Sequence, residues 1–212
     1  MIEMKILDVG TLAARPILTG VSGGERALTC LADELAKHVP ETPVVLDFHA
    51  VEVLGGSALR HLLQGIRRHP QCERAAVVLA NLSKANEEEA DLVAEAVRTP
   101  YISAKYSADE LTHTELRGPL DSKVARTLQL VIQAGEADAQ TVSQLSNEPG
   151  VVTAWNNRLV TLQSMGLLRE RKAGKRKFYS PVIGGLAYGC WRRFKIEPPC
   201  RLNFEPGLMA NL

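Results

Sequence analysis

Asp47, His49 and Glu52 set an imidazole between two carboxylates just after the apolar run 44–46, and strand ends of this kind are where α/β proteins often build sites. Such groups can move a proton. Catalysis would also need a nucleophile and an orienting partner, and the spacing assembles none, so Asp47 reads as a strand-end hydrogen-bonding residue and an enzyme is the weakest reading. Cys30, Cys72, Cys190 and Cys200 lack Cys-x-x-Cys spacing, and the five histidines form no His-Glu-x-x-His. Four free thiols are expected, with no metal and no cofactor. Glu87, Glu88, Glu89 and Asp91 crowd the start of a helical pattern, where negative charge suits the dipole and reads as a solvated helix start.

The other concentration of chemistry is cationic. Six of the nine residues 169–177 are basic: Arg169, Arg171, Lys172, Lys175, Arg176 and Lys177. The formal net charge of +1 hides an asymmetry, because residues 1–119 hold 12 Lys/Arg against 17 Asp/Glu, a net of −5, while residues 120–195 hold 12 against 5, a net of +7. One half suits a polyanion and the other does not. No apolar stretch approaches the roughly twenty residues that span a bilayer. Met1-Ile2-Glu3-Met4-Lys5 has no secretory pattern, so a cytoplasmic location without membrane association is expected.

The elements that position these groups fall into two halves, and 212 residues accommodate two domains. In the first, the short apolar runs 5–9, 43–48 and 75–80 read as buried strands. Leu28, Leu31 and Leu35 mark one helix, which Ser22 and Glu25 would open near Gly23 as a reciprocal cap. Leu59, Leu62, Leu63 and Ile66 mark a second. A third, over 84–97, carries Leu92, Val93, Ala96 and Val97 on one side. Strands alternating with such helices imply an α/β sheet, and the polar stretch 100–119 reads as a last strand running into a linker.

The stretch 44–59, with Ser22-Gly23-Gly24-Glu25-Arg26-Ala27 before it and Leu79-Ala80-Asn81 after it, resembles STAS domains, the anti-sigma-factor-antagonist fold often linked to bacterial signalling. The resemblance covers about the first hundred residues and implies a domain over 1–115 that senses a ligand or binds a signalling protein. In that family the loop before the helix reads Asp-Ser-Ser-Gly and its first Ser is phosphorylated. Here the aligned residues are Gly55, Gly56, Ser57 and Ala58, so the acceptor position is Gly56. Ser57 is left with two readings, a phospho-switch or a helix N-cap, and the N-cap is favoured. The two glycines suit a sharp turn.

In the second half, Asp121 or Ser122 starts a helix with Val124, Leu128, Val131 and Ile132 on one stripe and Gly135 at its end. Asp138 can cap a short helix that turns Val142 and Leu145 inward, and Asn147-Glu148-Pro149-Gly150 breaks it. A third helix repeats Trp155, Leu159, Leu162 and Met165, which makes Trp155 core, and stops at Gly166. Residues 167–172 and 175–181 then read as a hairpin around Ala173-Gly174. Asn157-Arg158-Leu159, Leu162, Met165-Gly166-Leu167-Leu168, Arg171, Gly174 and Tyr179 resemble the winged-helix repressors, in which a recognition helix ends at a Gly-Leu step and leads into a basic hairpin.

That resemblance covers about sixty residues within 119–183 and implies an α+β winged helix-turn-helix domain. It implies a regulator of transcription that binds double-stranded DNA. Thr153, Asn156 and Asn157 would face base edges, with Asn suited to adenine, and Val160 and Ser164 share that face. Arg158, Arg171, Lys172, Lys175, Arg176 and Lys177 would meet phosphates. The alternative is an adaptor in a partner-switching pathway whose winged helix docks on protein. Residues 184–212 form a C-terminal extension in which 184–194 reads as an amphipathic segment, and two-fold DNA sites make a homodimer an expectation.

Overall fold

The computed structural model describes residues 4–39, 42–146 and 151–188. Among them the chain is a mixed α/β protein with seven helices and a six-stranded sheet of parallel and antiparallel strands. The apolar runs form β1 (Lys5–Asp8), β3 (Val44–Asp47) and β5 (Val77–Ala80), joined in parallel by β6 (Tyr101–Ser107). Leu7 pairs with Leu46, Val44 with Val77 and Leu79 with Ser103. Between them run α1 (Val9–Ala13), α2 (Gly20–Ala36), α3 (Gly56–Arg68) and α4 (Lys84–Val97), with a small parallel ribbon of β2 (Ile17–Leu18) and β4 (Val53–Leu54).

Each parallel strand is added on the same side of the one before it. Right-handed crossovers then place the connecting helices on one face. On that face Leu7, Val44, Leu46, Val77, Leu79 and Tyr101 share a core with Leu31, Leu35, Leu59, Leu62, Ile66 and Val93. The alternate residues Val45, Val78, Ala80, Ile102, Ala104 and Leu116 point the other way and are equally buried. They are covered by the second half of the chain: α5 (Ser122–Ala134), α6 (Ala139–Ser146), α7 (Val152–Ser164) and the hairpin of β8 (Leu168–Ala173) and β9 (Arg176–Pro181). Leu128, Val131, Trp155, Leu159, Leu162 and Leu167 close over the sheet in a single cluster. The boundary near residue 119 therefore divides the sequence but not this core.

Gly166 shows how close the approach is. Its φ of +75° ends α7 in the left-handed region, and a Cβ there would lie 2.6 Å from the Ala75 carbonyl oxygen. Beside it the Arg67 guanidinium, at the end of α3, donates to the Met165 carbonyl at 3.3 Å, placing a cation at the negative end of α7.

Several elements differ from the sequence expectation, for local reasons. Helix α2 starts at Gly20 behind an extended Thr19 that makes no side-chain cap, so Ser22 and Glu25 are exposed helical residues. Gly24 serves packing instead, since a Cβ there would meet the Ala58 carbonyl oxygen at 2.5 Å. In α4, Leu92 is 66% exposed and Ala96 is exposed too. The helix is turned inward along Asn86, Ala90, Val93 and Ala94, because Asn86 Oδ1 accepts from Leu54 N at 3.0 Å and its Nδ2 donates to Val51 O at 3.1 Å.

The stretch 100–119 holds a hairpin of β6 with β7 (Glu110–Arg117), not one strand and a linker. Its polar look comes from ends that run past the helices, around a turn whose Ala108 and Asp109 both have positive φ. Leu145, expected inside, is 46% exposed. Within 184–194, Ala187–Tyr188 forms β10 (Ala187–Tyr188), parallel to β7 at the sheet edge, with Gly185 O accepting from the Thr114 hydroxyl at 3.1 Å. Residues 189–194 of that segment, and the break at 147–150, lie outside the described residues.

A shared core predicts that both halves of the chain unfold in one transition. Gly166→Ala should cost about 2–4 kcal/mol, from left-handed strain plus overlap with Ala75. Gly174→Ala, at φ +61° with open space around it, should cost only about 1–2 kcal/mol. Urea unfolding followed by tryptophan fluorescence and by far-UV circular dichroism tests both, and non-coincident curves would contradict the shared core.

Candidate nucleic-acid interface

Helix α7 buries Trp155, Leu159 and Leu162 and turns Thr153, Asn157, Val160 and Ser164 outward. Asn156 is half-buried. Arg158 is half-buried as well, its guanidinium 4.4 Å above the Trp155 ring, so it sits at the edge of the outward face. The Trp155 indole N–H finds no acceptor among the described residues.

After Gly166 the chain enters the hairpin, where Arg169 pairs with Ser180, Arg171 with Phe178, Lys172 with Lys177 and Ala173 with Arg176. Gly174 takes φ +61° at the first loop position, as a two-residue II′ turn requires. Alternation sorts the side chains. Leu168 and Tyr179 lie on the inward face, which continues beyond the core as Lys172 and Lys177. Arg169, Arg171, Arg176 and Phe178 lie on the other face, with Phe178 flanked by the Arg171 and Arg176 guanidiniums at 5.1 and 5.3 Å.

Residues 136–138 run beside β9 through a bridge between Ala137 and Tyr179, which brings Glu136 and Asp138 onto the arginine face. Glu136 takes Arg171 in a bidentate pair, Oε1 to Nε at 2.9 Å and Oε2 to NH2 at 2.6 Å. Asp138 does two jobs. It caps α6 by accepting from the Thr141 amide and hydroxyl, both at 2.8 Å, and it takes the Arg176 guanidinium, Nε at 2.9 Å. Burial of its carboxyl works to raise the pKa, but the Thr141 hydrogen bonds and Arg176 outweigh that and hold it below the ordinary aspartate value. Lys177 reaches Glu170 at 3.0 Å.

Of the six cations in the hairpin, then, Arg171, Arg176 and Lys177 are matched by carboxylates, whereas Arg169, Lys172 and Lys175 have no ion pair among the described residues. Lys172, Lys175, Arg176 and Lys177 are exposed around the tip. The capping role of Asp138 was readable from sequence. Glu136 was not, because its position opposite Arg171 depends on the pairing of Ala137 with Tyr179.

Ser57, the remaining residue of interest, is exposed but does not cap α3. The cap position is Gly55, and the free amide of Gly56 is taken by Glu89 Oε1 at 2.7 Å, reaching across from α4. A Cβ on Gly56 would lie 2.5 Å from that oxygen, so the glycine admits a carboxylate to the helix start instead of making a sharp turn. Glu87 and Asp91, read as solvated, both hold Arg117, and Asp91 also accepts from the Tyr101 hydroxyl at 2.8 Å.

At the strand ends, Asp47 accepts from His49 N at 3.1 Å and Asn81 Nδ2 at 2.9 Å. His49 Nδ1 lies 3.1 Å from Asp47 Oδ2 and Nε2 lies 3.9 Å from Asp8 Oδ2. Glu52 is exposed and makes no ion pair among the described residues. Among those residues no set of three His, Cys, Asp or Glu is arranged to hold a metal ion, Cys30 and Cys72 are free, and no helix is long and apolar enough to cross a membrane. No family model, curated protein or solved structure matches the chain.

A carboxyl with a depressed pKa stabilises the fold above its unfolded pKa and loses that contribution as pH falls through the folded one. Asp138→Ala should therefore cost about 1–2 kcal/mol at neutral pH, from the lost cap and guanidinium contact. The difference from the parent chain should shrink towards about pH 3. Urea unfolding at both pH values measures it, and a pH-independent difference would assign the effect to packing.

Proposed function

We propose that this chain is a DNA-binding regulator of transcription, in which a winged helix-turn-helix built from α5, α6, α7 and the β8–β9 hairpin is joined to a STAS-like sensing or partner-binding half. On this reading α7 enters the major groove and the hairpin lies along the neighbouring phosphates. The work is binding, not chemistry.

One observation carries the proposal. Lys172 and Lys177 face each other across the hairpin in direct register, with Lys175 at the turn between them. Like charges opposite one another destabilise a hairpin. Glu170 offsets the charge of Lys177, but no carboxylate among the described residues offsets that of Lys172 or Lys175, and a phosphate-lined partner turns that cost into a gain by releasing counterions. The neighbouring α7 supplies the uncharged, exposed Thr153, Asn157, Val160 and Ser164 that a groove can accept.

A second reading has its own support. Val151 is 73% exposed and Val152 46%, adjacent apolar residues at α7's start that would suit a protein surface. This is the adaptor, in which the same region docks on a signalling partner. The exposed Ile17, Val21 and Val53 around the β2–β4 ribbon, near Ser57, are where the first half would meet such a partner.

Ion pairing within the hairpin sets the expected pattern of variants. Lys172→Ala with Lys175→Ala removes two cations that no carboxylate matches, and should lower the slope of log affinity against log salt by about 2 for duplex DNA. Arg176→Ala should change the slope less and stability more, because Asp138 already holds that guanidinium. Fluorescence anisotropy with a labelled duplex across a salt series provides the measurement. Binding that ignores salt would sink the regulator, and a protein complex indifferent to both lysines would favour the adaptor.

A further inference from the structure

Thr153, Asn157, Val160 and Ser164 fall at i, i+4, i+7 and i+11, one line along α7 opposite Trp155, Leu159 and Leu162. What that line lacks is as informative as what it holds. The one charged residue in α7 is Arg158, and its guanidinium is drawn aside onto the Trp155 ring. The commonest way to read guanine is a guanidinium or ammonium on O6 and N7, and cytosine is read by a carboxylate on its amino group. Neither is present on the line.

The remaining groups differ in what they can offer. The Ser164 hydroxyl donates to the Thr161 carbonyl at 2.8 Å, and Thr161 donates to the Asn157 carbonyl at 2.9 Å, so both protons are used within the helix. The Asn157 amide makes no hydrogen bond to the described residues and is exposed. It keeps both a donor and an acceptor, the pair that matches adenine N7 and N6. Val160, three residues on and 40% exposed, presents two methyl groups. In the major groove the apolar feature that a methyl can meet is the thymine 5-methyl.

Resting on the DNA-binding reading above, we infer that α7 reads A·T base pairs, with Asn157 on adenine and Val160 against the thymine methyl. The cations of the hairpin then supply affinity without sequence preference, while these two uncharged side chains supply the choice.

The test uses the full chain and a pool of random-core DNA duplexes, followed by the enriched duplex resynthesised with deoxyuridine for thymidine or 7-deaza-deoxyadenosine for deoxyadenosine. The expected result is an A·T core, with each replacement at the contacted pair weakening binding several-fold. Asn157→Ala should be insensitive to the 7-deaza change and Val160→Ala to the loss of the methyl. Both residues are exposed, so neither variant should disturb folding, and the unfolding midpoint checks this. A G·C core, or an A·T core indifferent to both replacements, overturns the inference and leaves duplex binding standing. Retention of no duplex at all overturns the DNA-binding reading, and this inference with it.

Discussion

A sheet whose central strands are apolar on both faces cannot rest with helices on only one of them. Residues 5–104 place α2, α3 and α4 on a single side, because each strand joins at the same edge and the crossovers share one hand. The side carrying Val45, Val78, Ile102 and Leu116 must then be covered by something else, since bare apolar area costs roughly 25 cal/mol per Å² left in water. Here the cover is the helical half itself. The part of the chain that bears the cationic hairpin is thereby held against the first half, at Gly166 against Ala75 just before β5 and at Arg67 of α3 against Met165.

The bridge between Ala137 and Tyr179 divides the charge within the hairpin. On one face of the hairpin Arg171 and Arg176 are tied to Glu136 and Asp138, and the second of these carboxylates also opens α6. Exposed pairs of this sort contribute little energy, but they fix direction. Of the cations with no ion pair among the described residues, Lys172 and Lys175 lie around the loop and Arg169 lies at the base of the hairpin. On the proposed reading the first group orients the hairpin and the second meets the phosphates.

The sequence was most informative where one periodicity ran through a whole element. The three apolar runs became β1, β3 and β5, the Leu59–Ile66 pattern became α3, and Trp155, Leu159 and Leu162 became the buried side of α7. It misled where a tertiary contact overrode a local signal. Ser57 looks like a cap until Glu89 arrives from another helix to take the amide, and Leu92 looks internal until Asn86 binds the β4 backbone and turns α4. Gly56 resembles a turn former and Gly24 part of a helix cap, but each marks a close neighbour that has no sequence signature. Of the candidate interface, the exposed residues of α7 and the basic loop were readable in advance. That Glu136 and Asp138 bind Arg171 and Arg176 was not, because a single bridge between residues 137 and 179 creates the relationship.

The closing strand β10 joins β7 only after some seventy intervening residues have formed three helices and a hairpin. During synthesis the parallel strands emerge first, with one greasy side still waiting for its cover. Such a nascent chain has a long interval in which it can stick to its neighbours, and its final consolidation depends on contacts far apart along the polypeptide, which slows folding. A truncation that removed the helical half would not release a tidy smaller protein; it would leave a sheet prone to aggregate or to be held by chaperones.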